Sequence, residues 1–513
     1  MIGRNCTRLT LRLRETPAVA LAFAVPFVVL LASVRTEVGF WDTGDLQTVA
    51  WIAGIPYPTG FPGYVLAGWL WTHLVPLGSV AARLNALSAL ALASGAGTVA
   101  GLALLLEAAP PVALLAGWAF AFAHPVWLRA TYADVHPLGF AVAFAAVALA
   151  LRWSLRGEPR ALAAAIGLGG AALAIDNTTV LILAGGVVAA LGRPLPVRPV
   201  VGGLAVAVLL VGGAYTWLPL RSAQLTAARV DPTLALGIPP GRPFWDDHHP
   251  ADRHGFVRLV TGSDWGPGDT VVQLLTLGTV RSAWTRFGPA LEADLPAGLL
   301  AAAAIGLVLA AGTASVAGVV PVAGGAVPVT VAGLALAGLL PALFGASYDA
   351  EADPSRYVFA LYAVLAVGLA VAASRTIRAF GHEAPRTAGV VVVALLALAV
   401  GRELARGGDI VAVRGERDAA ALADRVVGAT RDGAVVVATW DVATPLAYRA
   451  YVEHRLGRRV VVCSLPGDFG YLFARWLRTR QVAVVGDAPP LVPGLRSRLL
   501  SPGDPPVYEM IAP

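Results

Sequence analysis

The sequence predicts a polytopic α-helical membrane protein with a small α/β domain at its C-terminal end. Three observations predict it. Of 513 residues, 57% are hydrophobic and 14% charged, with mean hydropathy +0.70, whereas a soluble domain carries about 25% charged residues. Apolar runs recur from Ala18 to Val400, near the roughly 20 residues a spanning helix needs. The basic residues cluster in short links between those runs, the pattern that orients membrane segments.

The net charge of +6 is therefore read as an orientation signal and not as a nucleic-acid face. No lysine is present, so all 38 basic residues are arginine. With the excess of Ala, Gly, Val and Pro, this codon bias suggests a high-GC bacterial genome and a multi-pass protein of the bacterial cytoplasmic (inner) membrane. Cys6 and Cys463 lie far apart, so neither a disulfide framework nor a structural zinc site is expected. Arg4, Arg8, Arg12 and Arg14 precede the run 18–34 without a clean cleavage site after it. This reads as an uncleaved signal-anchor.

Eleven spans are expected, at 18–34, 83–106, 111–128, 137–153, 160–175, 177–191, 198–219, 297–312, 322–344, 355–374 and 388–404, with a range of 10 to 13. The stretch 60–78 is ambiguous, and charge decides it. If the N-terminal arginines are cytoplasmic and 60–78 does not cross, Arg152, Arg156, Arg160, Arg193, Arg198, Arg375, Arg378 and Arg386 all fall inside, as the positive-inside rule requires. The helix-breaking opening Tyr57-Pro58-Thr59-Gly60-Phe61-Pro62-Gly63-Tyr64 agrees, as do the interface-seeking Tyr64, Trp69 and Trp71. The stretch 60–78 is then re-entrant or interfacial. The first loop 35–82, the loop 220–296 and the C-terminal segment 405–513 face outward, with the N-terminus cytoplasmic and residues 1–404 as the membrane domain.

From about Gly407 the apolar runs shorten to strand length. Helices over 417–429, 443–455 and 469–478 alternate with strands over 433–439, 459–464 and 481–485, which argues a parallel α/β domain. It has no glycine-rich phosphate fingerprint. The last stretch, rich in Pro and Gly, reads as irregular.

Chemistry concentrates in the first loop, at Phe40-Trp41-Asp42-Thr43-Gly44-Asp45. Acidic residues at a membrane boundary are expensive and usually face a polar cavity. Asp45 suits the N-terminal end of a helix over 44–54, leaving Asp42 free to take a proton from a hydroxyl. The alternative is a helix cap and a solvated acid. A second group, Tyr132-Ala133-Asp134-Val135-His136-Pro137, offers Asp134 and His136 as acid/base or ligand-binding residues, or as ordinary loop polarity before a helix starting at Pro137. Arg83, beside Asn85, and Arg221 are outer arginines that break the positive-inside trend; both suit a lipid phosphate, and Asp42 is an alternative partner for Arg83. A snorkelling role is open for Arg83. Arg356, after Asp349, Glu351 and Asp353, is either a further phosphate ligand or a structural ion pair. Asp246, Asp247, His248 and His249 are metal-capable but match no strong motif, so a divalent metal is left open. Asp176 at a tight turn reads as a helix cap.

Gly39–Asp45, the Pro56–Gly63 stretch and Arg83-Leu84-Asn85-Ala86-Leu87-Ser88 in this order resemble a membrane family catalogued as a domain of unknown function, DUF2723. These are protein O-mannosyltransferase-like membrane proteins of the GT-C glycosyltransferase superfamily. In that family the first loop reads approximately Trp-Asp-x-Gly-Glu, followed by a Pro-rich segment; Asp45 stands here at the Glu position. Tyr132–His136 takes the place of a Glu-Val-Tyr, and Leu218-Pro219-Leu220-Arg221-Ser222 that of Leu-Pro-Ile-Arg-Ser. Phe244-Trp245-Asp246-Asp247 is a diverged counterpart of Asn-Trp-Gly-Asp-Pro. The resemblance covers about residues 18–270.

It implies a GT-C-like fold and an inverting transfer of a sugar, mannose by analogy, from a polyprenyl-phosphate carrier to an acceptor hydroxyl on a protein, lipid or glycan. Asp42 would be the general base, with Asp45 or Asp134 orienting. Arg83 or Arg221 would neutralise the phosphate, with His136, Trp41 and Tyr64 lining the donor site. A transporter or flippase of lipid-linked substrates, or a non-catalytic scaffold acting through its C-terminal domain, are the alternatives.

Overall fold

The computed structural model describes residues 2–265, 274, 276–295, 297–313, 326–348, 354–380, 385–464, 468–487, 489 and 491–512. Asp349, Glu351, Asp353 and the start of the expected span 322–344 lie outside the described residues.

A long helix α1 (Ile2–Ser33) leads into the first loop, which folds as two short helices, α2 (Trp41–Ile52) and α3 (Pro62–Leu74). Then follow α4 (Val80–Leu105), α5 (Pro110–Phe122), α6 (His124–Arg129), α7 (Val135–Arg156), α8 (Pro159–Ile175), α9 (Val180–Ala190) and α10 (Val197–Ala228). The long loop carries α11 (Arg253–Thr261). The membrane helices resume with α12 (Leu277–Asp294), α13 (Ala297–Thr313), α14 (Ala326–Ser347), α15 (Phe359–Phe380) and α16 (Pro385–Arg406).

Among the described residues six helices are long and apolar enough to cross a bilayer, within α1, α4, α7, α10, α14 and α15, or seven if α12 and α13, bent by 100°, form one span. The expectation of eleven spans is corrected by length. At 1.5 Å per residue, the 13 residues of α5 and the 11 of α9 reach only about 20 Å and 17 Å, against a hydrocarbon core of about 30 Å. The run 111–128 is cut at Ala123, whose backbone leaves the helical region ahead of Pro125. The turn expected at Asp176 between 160–175 and 177–191 is present. α2 and α3, with 12 and 13 residues, are also too short to cross. Part of the loop expected over 220–296 is instead helix α12.

The membrane core joins α1, α4, α5, α7, α14 and α15 around Leu30, Leu92, Phe120, Phe140, Phe144, Leu334 and Phe359, all buried. Phe140 packs against Phe120, Phe144 and Phe359 at ring separations of 5.3–5.7 Å. Small residues bring helices together where no hydrophobic gain drives them. A Cβ on Gly185 of α9 would run into the Gly333 carbonyl of α14, and the converse holds for Gly333 against α9.

Beyond α16, the short α17 (Gly408–Ala412) leads into α18 (Asp418–Ala429), β1 (Val435–Ala438), α19 (Trp440–Tyr451), β2 (Val460–Cys463), α20 (Gly470–Trp476) and β3 (Val482–Val485). β1 pairs in parallel with β2 on one side and β3 on the other. The valine-rich strands are buried on both faces, as parallel sheets require. The tail expected to be irregular instead forms β4 (Arg496–Ser501) and β5 (Val507–Ile511), an antiparallel pair that completes the order β2-β1-β3-β5-β4. Glu509 on β5 holds both Gln481 and Arg498, so polar side chains anchor a segment whose Pro and Gly content suggested none.

The sheet unit is seated on the loops of the membrane domain. Val38 and Ala81 pack with Ala419 and Tyr448, and the buried N–H of Ala81 donates to the Tyr448 hydroxyl at 2.9 Å. Arg35 pairs with Glu416 at 3.3 Å. On the other face of the sheet the Trp476 indole donates to the Leu236 carbonyl at 2.9 Å. The carboxyl ends of β1 and β2 thereby face the first loop.

Candidate active site

α2 starts at Trp41, whose positive φ of 55° is an uncommon setting for a bulky residue. Its side chain is 62% exposed, so the bend serves the backbone and not a buried ring. The next residue, Asp42, lies in the first helical turn, where the helix dipole favours an anion. Its Oδ2 accepts from Arg356 Nη1 at 3.2 Å, and its Oδ1 accepts from the indole Nε1–H of Trp440 at 3.1 Å. Arg356 belongs to a 3-10 turn, Pro354–Tyr357, between α14 and α15; Trp440 is the first residue of α19. Three distant stretches of chain meet on one carboxylate that is still 31% exposed. It is oriented and reachable at once.

One turn deeper, Asp45 is completely buried and neither oxygen has a hydrogen-bond partner. Burial, then the charges of Asp247 and Asp42, push its carboxyl well above the ordinary carboxylate range. The Tyr57 backbone pulls the other way, without hydrogen-bond geometry to Asp45. A bare carboxylate in such a place carries a large desolvation penalty, so the site favours the protonated form of Asp45. Tyr57 closes this region, edge-on to Trp440 at 5.7 Å. Burial and the charge of Asp42 push its phenol well above the usual value.

Asp134 caps α7. Its Oδ1 accepts from the His136 backbone N–H at 3.0 Å and meets His136 Nδ1 at 2.7 Å, while Oδ2 accepts from Arg129 Nη1 at 2.9 Å. Burial alone would raise this carboxyl, but His136, Arg356 and Arg129 outweigh it and hold it well below the usual range. Arg129, itself buried, also donates to Ser355 Oγ at 3.2 Å. Asp134 thus fixes Arg129, Arg129 fixes the turn at Ser355, and that turn presents Arg356 to Asp42. His136 stands edge-on to Tyr357 at 5.1 Å, in the same turn.

The other expected donor-site arginines are placed elsewhere. Arg83 donates to the carbonyls of Thr72 at 2.8 Å and Gly78 at 3.0 Å, tying the end of α3 to α4. Arg221 donates to Ala53 O at 2.7 Å and Ile52 O at 3.1 Å, closing the C-terminal end of α2. Tyr64 is fully buried, and its hydroxyl lacks a partner. Asp246, Asp247, His248 and His249 sit against the first loop, with Asp246 bridged to Ile55. They pair off, His249 with Asp246 and His248 with Asp247, each at 2.6 Å, and His248 with Asp264 at 2.9 Å. Among the described residues no cluster of three or more such side chains is arranged to hold a metal.

Two participants escaped the sequence reading: Arg129 and Trp440. Arg129 had a signal, since it is an arginine at the end of an apolar run. Trp440 lies 398 positions from its partner, and no local pattern marks it.

Residues 42–191 match the N-terminal domain of the protein O-mannosyl-transferase TMEM260. That segment begins at Asp42 and contains Asp45, Arg129 and Asp134. The mouse (Mus musculus) protein O-mannosyl-transferase TMEM260 is 30% identical over 168 residues, which is 32% of this chain and 24% of the relative. The match thus spans about a quarter of the curated relative's length. The matching family is the TMEM260 domain and not DUF2723 specifically. ArnT from Cupriavidus metallidurans, solved with undecaprenyl phosphate, superposes with a TM-score of 0.56 at 14% identity, covering 96% of this chain and 98% of that one. The architecture is shared with that structure: a polytopic helical membrane domain, with six to seven apolar spans among the described residues, and a small C-terminal α/β region. The bacterial inner-membrane location expected from composition is overturned, because the curated relative is mammalian. An arginine-only basic complement reports codon usage, and codon usage does not specify a membrane.

Proposed function

We propose that this chain is a glycosyltransferase of the GT-C type that moves a sugar from a polyprenyl-phosphate carrier to an acceptor hydroxyl. The observation that carries this is Asp42, half-exposed and held by one cation and one neutral N–H donor, at the start of the segment shared with the O-mannosyl-transferases. The acceptor oxygen attacks the anomeric carbon while its proton passes to Asp42, acting as general base. The bond from that carbon to the phosphate oxygen breaks, and the leaving phosphate keeps the electron pair. Direct displacement inverts the anomeric centre. Arg356, beside the base, stabilises the phosphate as its charge grows. Arg83 and Arg221 hold main-chain carbonyls away from Asp42. Asp45, kept neutral below Asp42, leaves the pair with a single negative charge. Mannose is the sugar suggested by the name of the relative.

Membranes containing the full chain, given radiolabelled polyprenyl-phosphate mannose and an acceptor fraction, test this. Transfer is expected from the wild type, and a loss of at least 100-fold in Asp42→Asn. Full activity in that variant removes Asp42 from the role.

A further inference from the structure

The sheet order places β1 between β2 and β3, so the chain leaves β1 toward one side of the sheet and returns on the other. In open α/β sheets the crevice beyond the carboxyl ends of such strands is where ligands bind. Here that edge faces α2. Trp440, two residues after β1, donates to Asp42. The ring of Trp440 is itself fixed, edge-on to Tyr57 at 5.7 Å and stacked on Phe244 at 6.1 Å. α19 approaches so closely that a Cβ on Gly44 would lie 2.9 Å from Thr444 Oγ1. An indole has one polar hydrogen, and a ring held from two sides can aim it in one direction only.

We propose that Trp440 is a positioning residue for Asp42, which makes the C-terminal α/β unit a structural part of the active site. This rests on the transferase reading. Arg356 holds Oδ2 and Trp440 holds Oδ1, and together they fix the carboxylate plane, so the lone pairs left over point toward the acceptor. Arg356 alone would let the carboxylate rotate about its bond to Cβ. Misplacement of a reacting group by an ångström can cost about 100-fold in rate.

The test is Trp440→Phe in the full chain, which keeps the aromatic packing and removes the N–H. Transfer of label from polyprenyl-phosphate mannose is expected to show kcat reduced about tenfold or more per folded molecule, with KM for the donor unchanged. A merely structural role leaves kcat per folded molecule at the wild-type value, and that result overturns the proposal. A second measurement does not depend on activity. Thermal midpoints of the purified wild type, Asp42→Ala, Trp440→Phe and the double variant form a cycle, and a non-additive result is expected. Additive midpoints overturn the contact. A coupled cycle in a chain that transfers no sugar overturns the transferase reading alone.

Discussion

The side-chain amide of Gln47 donates to the Asn85 carbonyl oxygen at 2.7 Å, and both residues are completely buried. That oxygen also accepts from the Ala133 N–H at 2.7 Å, while Asn85 Nδ2 donates to the Arg35 carbonyl at 2.9 Å. Gln47 Oε1 in turn accepts from the Gly39 N–H at 3.0 Å. One amide pair therefore ties α2, α4, the end of α1 and the loop before Asp134. Asn85→Leu strands the donors of Gln47 and Ala133 in the interior, and each unsatisfied group costs about 1–3 kcal/mol. The expected outcome is a marked fall in the thermal midpoint of the detergent-solubilised chain. An unchanged midpoint contradicts the tie.

Asp45 gives a prediction with a sign. Its folded-state carboxyl lies well above the ordinary value because it is buried near Asp247 and Asp42. A raised value means that the folded state holds the proton more tightly than the unfolded state. The stability this gives is complete below the unfolded value of about 3.9 and is lost as pH rises through the folded value. Asp45→Asn, which cannot ionise, is expected to be more stable than the wild type at pH 7 and above, with the gap closing toward pH 4. Midpoints measured across that range check it, and parallel curves for the two proteins count against a buried neutral acid.

Asp134 runs the other way. His136, Arg356 and Arg129 hold its carboxyl well below the usual range. Its contribution is present above the unfolded value of about 3.9 and disappears as pH falls through the folded one. Asp134→Asn takes one charged partner from the buried Arg129, a loss of about 1.5–3 kcal/mol at neutral pH, the range for a hydrogen bond to a charged group. Circular dichroism melts at pH 7 should show a large drop, and a shift of only a degree or two is inconsistent with the pair.

The uneven legibility of this site has a physical basis. Asp42, Asp45, Asp134 and His136 could be picked out because acidic and imidazole side chains next to apolar runs are costly and stand out against 57% hydrophobic composition. Three of the five strands of the C-terminal unit were visible because Val435–Ala438, Val460–Cys463 and Val482–Val485 are short apolar blocks separated by polar helices. Partner choice was not visible. Whether Arg83 meets a lipid or the carbonyls of Thr72 and Gly78 depends on where a side chain of several rotatable bonds ends up, and its sequence neighbours do not encode that. Span counting failed for a related reason. The apolar runs at 111–128 and 160–191 advertise burial, and a helix packed inside the bundle needs to be as apolar as one that crosses the membrane.

The three arginines separate the proposed roles. Arg356→Lys keeps a cation but loses the fork geometry suited to phosphate. It is expected to lower kcat/KM for the polyprenyl-phosphate sugar by more than tenfold with little effect on the thermal midpoint. Arg83→Lys, which loosens the turn between α3 and α4, should act mainly on the midpoint. If Arg83→Lys abolishes transfer at wild-type stability while Arg356→Lys is silent, the phosphate is held elsewhere than beside Asp42.

Gly44 links the motif in the first loop to the unit that follows the last membrane helix. It lies within α2, where glycine costs about 1 kcal/mol relative to alanine, so an exposed position would be improved by Gly→Ala. Here a Cβ would lie 2.5 Å from the Gly39 carbonyl oxygen and 2.9 Å from Thr444 Oγ1, closer than atoms can pack. Gly44→Ala must therefore push α19 away from α2, and with it the Trp440 indole that reaches Asp42. The expected result is a loss of sugar transfer together with easier proteolytic release of the segment after α16. Thr444→Gly removes both the hydroxyl and the Cβ, which would lie 2.9 and 3.0 Å from the new methyl, so the double variant Gly44→Ala, Thr444→Gly should recover part of both properties. Recovery in the double variant assigns the damage to the seam between the helices. If the double variant is no better than Gly44→Ala alone, the clash with Gly39 dominates and the glycine serves the first loop by itself.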